Sequence, residues 1–125
     1  MTTLRVPFMR LAPGDDRPAI DAAIRRVIDR GWYVLGPEVD AFEQRFAGAC
    51  GAAHAIGVGT GTDAIAVILR GLGIGPGDEV ITTPLSAAYT ALACMMVGAR
   101  PVFADIDPHR LTISPAAIAD AITPR

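Results

Sequence analysis

Apolar residues return every three or four positions through "DDRPAIDAAIRRVIDRG", which predicts an amphipathic helix with Ile20, Ile24, Val27 and Ile28 on one face. Asp16 stands where a cap belongs, Pro18 suits the first turn, and Gly31 supplies the stop. "GPEVDAFEQRFAGACG" repeats the pattern, with Pro37 at a helix start and Val39, Phe42 and Phe46 as the buried stripe. The period then shortens. "AHAIGV" (residues 53–58) is short and apolar and predicts a strand, the bend "GTGTD" follows, and "TDAIAVILRGLG", whose Ile65, Ile68, Leu69 and Leu72 fit helical spacing, predicts a helix ending at Gly73. After the turn cluster "GIGPGDE", "VITT" predicts a second strand stopped by Pro84. "SAAYTALACMMVG" predicts a helix so apolar that most of its sides must be buried. "PVFADID" predicts a third strand, and "SPAAIADAITPR" a helix with Ser114 as cap and Pro115 at its first position. Alternating strands and helices predict an α/β fold of βαβ units, with right-handed crossovers and a mainly parallel sheet flanked by helices. No internal repeat, low-complexity tract or linker interrupts the pattern.

Composition narrows the classes. A chain of 125 residues, 51% hydrophobic and 19% charged, is globular and able to bury a core. Its net charge of −2 and scattered arginines, with few aromatics between them, argue against nucleic acid and for a small-molecule partner. Cys50 and Cys94 stand alone, and His54 and His109 lie far apart, so the spacing indicates neither a zinc site nor a disulfide framework. The thiols read as those of a protein in a reducing cytoplasm. "MTTLRVPFMRLAPGDD" carries arginines through its apolar part and runs into acids, unlike a secretion signal, and the apolar tract near Ala87–Ala99 is too short to span a bilayer. All 11 cationic residues are arginines: the sequence contains no lysine.

Gly57, Gly59 and Gly61 at alternate positions let the chain turn tightly just before a helix, whose first N–H groups lack intrahelical partners. An anion is the natural guest of such a turn. The spacing fits neither a dinucleotide fingerprint, whose sixth position here is Thr62, nor a P-loop, which needs lysine. Two readings remain: a phosphate cradle of the Gly61, Thr62 and Asp63 amides with the Thr62 hydroxyl, or a tight turn with a threonine cap. In the first, the Asp63 carboxylate must point away from the anion. Asp105 and Asp107, at a strand end before Pro108, read as turn and cap residues rather than a carboxylate pair.

"GWYVLGPEVDAFEQRFA", "GTGTDAIAVILRGLGIGPGDEVITTP" and "GARPVFADIDPHRLTISPAAIADAITPR" together resemble the amino-terminal part of the DegT/StrS-type sugar aminotransferases, pyridoxal-phosphate enzymes of fold type I. The resemblance runs in register from about Val6 to Arg125. It implies that Gly61, Thr62 and Asp63 hold the phosphate of pyridoxal 5′-phosphate, and that an aromatic side chain from "PLSAAYTALA" stacks on its pyridine ring. That segment departs from the family's usual form, with one residue fewer and no Phe or Trp ahead of Ala-Thr, which leaves Tyr89 to stack or else to serve as a core tyrosine. Trp32 and Tyr33 fall where the family places its subunit interface and active-site entrance; packing of a loop is the other reading.

The implied reaction is transfer of an amino group, usually from glutamate, to a keto group on a nucleotide-linked sugar by a cytoplasmic homodimer. The family's cofactor-linking lysine, and the aspartate that faces the pyridine nitrogen, lie beyond the stretch that matches Arg125. Residues 1–125 are therefore expected to be a partial large domain, the amino-terminal helices and first three strands, with no catalytic residue of its own and inactive alone. A sugar 3-dehydratase of the same family, with histidine at the lysine position, and a truncated interaction or regulatory protein are the alternatives.

Overall fold

The computed structural model describes residues 12–124. The opening segment Met1–Leu11, which bears on the reading of a secretion signal and on the start of the resemblance near Val6, lies outside the described residues, as does Arg125. Contacts divide the chain into two compact units, Met1–Gly57 and Val58–Arg125.

In the first unit a single tight turn, Gly14–Asp16, leads into α1 (Arg17–Arg30). Pro18 lies in the first turn of α1, and Asp16 occupies the cap position without a side-chain capping bond. Gly31 ends the helix at φ 69°, a left-handed conformation that costs glycine little. α2 (Pro37–Cys50) follows, with Gly36 at its cap and Gly51 closing it at φ 65°. Both helices keep the boundaries that their prolines and glycines predict. Their apolar stripes are less covered than the sequence suggests. Phe42 and Phe46 stack on each other, ring centres 5.5 Å apart, yet stay 56% and 52% exposed. Ala47 is the one buried residue described on α2, and Ile20, Ile24 and Ile28 of α1 are also exposed. No described layer lies over these faces.

Residues 53–58 form no strand. A strand exists by pairing, and the Gly57 N–H instead donates to the Glu43 carboxylate at 2.6 Å. The three strands of the sequence reading are therefore two among the described residues.

The second unit runs α3 (Gly61–Gly71), β1 (Glu79–Thr82), α4 (Tyr89–Met96), β2 (Arg100–Phe103) and α5 (Pro115–Ala121). β1 and β2 pair in parallel, Glu79 opposite Arg100 through Thr82 opposite Phe103, with α4 as the crossover. This is the predicted βαβ unit. α3 packs against α4 around Ala66, Leu69, Ala93, Cys94, Val97 and Ala99, with Ile65, Ile74 and Val80 alongside. Small residues on both helices permit that close approach, while Leu69, 8% exposed, gains about 1.5–3 kcal/mol from burial.

Two details differ from expectation. α3 ends at Gly71, with Leu72 as its cap and 72% exposed. α4 is buried on one side only: Ala93 and Cys94 face the core, whereas Leu92, Met95 and Met96 are exposed. An all-apolar composition shows no periodicity from which to read which side is covered. α5 starts as predicted, the Ser114 hydroxyl accepting the Ala117 N–H.

Candidate functional site

The "GTGTD" bend becomes the first turn of α3. Thr60 is the N-cap, in extended conformation at φ −147°, so Gly61, Thr62 and Asp63 are the first three helical residues. The Thr60 hydroxyl accepts the Asp63 N–H at 3.1 Å and donates to the Asp63 carboxylate at 2.8 Å. Ala64 N–H, one residue on, closes the first helical bond to the Thr60 carbonyl at 3.0 Å. Among the described residues the Gly61 and Thr62 N–H groups make no hydrogen bond. A β-carbon placed on Gly61 would meet nothing within 4 Å. The turn thus presents two forward amides, an open face at Gly61 and the adjacent Thr62 side chain.

This donor set fits a phosphate group: unpaired amides at the positive end of a helix dipole, beside a hydroxyl. It differs from the sequence reading in one respect. The Asp63 amide, counted there as a third donor, is engaged by Thr60. The Asp63 carboxylate is held on the Thr60 side, its Oδ2 3.3 Å from where a β-carbon of Gly59 would sit. Thr60 is the threonine cap that the second sequence reading expects without saying which threonine it is. Its signal was present: threonine three residues before an acid, ahead of an apolar helix, is a capping pattern.

Tyr89 is the first residue of α4 and is 64% exposed. Tyr89 is no part of the core among the described residues. The helix begins later than Ser86 because the preceding segment turns locally, the Leu85 N–H donating to the Thr83 hydroxyl at 3.2 Å. The structure puts Tyr89 after the carboxyl end of β1, where ligands of α/β sheets gather. Among the described residues no hydrogen bond or ring contact joins it to the α3 turn.

Asp105 and Asp107 organise a turn, as expected. Asp107 Oδ1 accepts the N–H groups of His109 and Arg110 at 2.8 and 3.0 Å, Asp105 accepts its neighbour's amide, and Ile106 bridges to Ile113. In the first unit, the Trp32 indole donates to the Val34 carbonyl at 2.7 Å, and its backbone oxygen lies 3.1 Å from a β-carbon built on buried Gly36. That is loop packing, yet Trp32, Tyr33, Val34 and Leu35 all remain exposed.

Residues 15–125 match the DegT/DnrJ/EryC1/StrS aminotransferase family. The chain is 47% identical over 127 aligned residues to dTDP-3-amino-3,4,6-trideoxy-alpha-D-glucose transaminase of Streptomyces venezuelae, covering 98% of this chain and 33% of that protein. UDP-2-acetamido-2-deoxy-3-oxo-D-glucuronate aminotransferase of Pseudomonas aeruginosa is 46% identical over 85% of this chain and 30% of its own length. Among solved structures, S. venezuelae DesV superposes with a TM-score of 0.90 at 47% identity, over 98% of this chain and 34% of that one. Bacillus subtilis NtdA, solved with bound cofactor PMP, superposes at 0.87 and 34% identity, over 96% of this chain and 28% of that one. The chain spans about a third of the length of these relatives. It belongs to the DegT/DnrJ/EryC1/StrS aminotransferase family.

Proposed function

We propose that this chain supplies the cofactor-phosphate site of a pyridoxal-phosphate-dependent aminotransferase that delivers an amino group, from a donor such as glutamate, to a keto group on a nucleotide-linked sugar. The observation that carries the reading is the first turn of α3, with its two unpartnered amides, in a chain 47% identical to a nucleotide-sugar transaminase. Gly61 and Thr62 hold the phosphate through their amides and the Thr62 hydroxyl. Asp63 completes the turn, its charge held aside by Thr60. Tyr89 lays its exposed ring against the pyridine face. When bound, the cofactor supplies the electron sink for amino transfer. With no lysine in the sequence, these residues hold it by non-covalent contacts alone.

The exposed apolar run Trp32–Leu35, with Phe42 and Phe46, supports a homodimer in which a second copy covers it. Two free thiols, Cys50 and Cys94, support a reducing cytoplasm. Among the described residues no helix is long and apolar enough to cross a membrane.

Replacing the matching 33% of the S. venezuelae transaminase with this chain tests the activity. Amino-sugar formation by the chimera is expected. A folded, cofactor-loaded chimera without turnover would count against equivalence of the two segments.

A further inference from the structure

We propose that Thr60 is a positioning residue for the cofactor phosphate, acting by holding the Asp63 carboxylate off the amides that receive it; this rests on the cradle proposed above. An acid at the third helical position is drawn to the helix N-terminus by the same dipole that attracts a phosphate. In a capping box such an acid reaches back to the N-cap N–H, beside the first helical amides. Left to itself, the Asp63 side chain is thus a built-in competitor for the phosphate site.

Thr60 resolves the conflict with one hydroxyl. By donating to Oδ2 at 2.8 Å it fixes the carboxylate, and by accepting the Asp63 N–H at 3.1 Å it satisfies the third amide. The acid needs room where it is held. Gly59 provides it, since any β-carbon there would lie 3.3 Å from Oδ2. What remains open is the pair of forward amides on Gly61 and Thr62.

Serine would preserve both bonds, whereas valine keeps the shape of threonine and neither bond. The test measures affinity of the full chain for pyridoxal 5′-phosphate and for pyridoxal, by absorbance titration, with inorganic phosphate as competitor. Thr60→Val should weaken binding of the phosphorylated cofactor about tenfold, the scale of one charge-assisted hydrogen bond, and leave pyridoxal unchanged. Thr60→Ser should bind as the wild type does. Adding Asp63→Asn to Thr60→Val should restore most of the loss, because the competing charge is gone. If the double variant binds as weakly as Thr60→Val, Thr60 is only a helix cap and the proposal falls. Equal affinity of Thr60→Val and wild type, while Thr62→Val is impaired, overturns the role of Thr60 and leaves the cradle standing. Unchanged affinity in Thr62→Val overturns the cradle itself. Should Thr60→Val not fold, Thr60→Ala removes the same two bonds, and wild-type affinity in that variant likewise overturns the proposal.

Discussion

The Thr123 hydroxyl donates to the Glu79 carboxylate at 2.6 Å, tying the segment after α5 to the first residue of β1. Arg100, opposite Glu79 in the parallel ladder, pairs with the other carboxylate oxygen. The Glu79 side chain is only 5% exposed, so each oxygen needs its partner. Thr123→Val is expected to cost about 1–3 kcal/mol through the acceptor left without its partner. Chemical denaturation of the variant checks this, and an unchanged midpoint would mean that solvent reaches the carboxylate.

Gly98 follows α4 at φ +84°, and a β-carbon there would sit 3.0 Å from Pro76 Cγ. Conformation and space both disfavour a side chain there. Gly98→Ala is expected to destabilise by more than about 1 kcal/mol, the usual size of the left-handed penalty alone. Thermal unfolding beside Gly73→Ala, also at positive φ but with nothing within 4 Å, separates the steric part from the conformational part.

Burial raises the pKa of the Cys94 thiol, whose Sγ donates to the Thr90 carbonyl at 3.2 Å. Because its folded pKa lies above its unfolded value, the native state holds its proton where the unfolded state has lost it. Stability is therefore full below 9.0 and declines as pH rises from there toward the folded pKa. A steeper alkaline loss in wild type than in Cys94→Ala is expected. A thiol reagent should modify exposed Cys50 first and reach Cys94 only on unfolding.

Much of this was legible because prolines and glycines punctuate the chain. Pro18 and Gly31, Pro37 and Gly51, and Ser114 with Pro115 set helix ends by φ restriction and capping, which are local effects. Burial was less legible because it depends on what lies opposite. Phe42 and Phe46 have helical spacing whether or not a layer covers them, and residues 53–58 have strand composition with no described ladder beside them. At the site, the glycines marked the turn and a threonine cap was one reading of it, but which threonine was not legible. Thr60 and Thr62 are alike in sequence, and only the geometry shows Thr60 bonded to Asp63.

Tyr89 separates stacking from structure. Tyr89→Phe should leave cofactor affinity nearly intact, whereas Tyr89→Ala should weaken it and shift the bound cofactor's absorption. With the ring 64% exposed, neither change should alter the unfolding temperature much. A loss of stability without any spectral change in the alanine variant would remove the stacking role.

The central claim is that the first turn of α3 receives the cofactor's phosphate, and Thr62→Val addresses it most directly. Equilibrium binding of pyridoxal 5′-phosphate to the chain and to this variant should differ by about 1.5–3 kcal/mol, the value of a hydrogen bond to a charged group, with pyridoxal binding unaltered. Equal affinity of the two proteins for the phosphorylated cofactor would contradict the account.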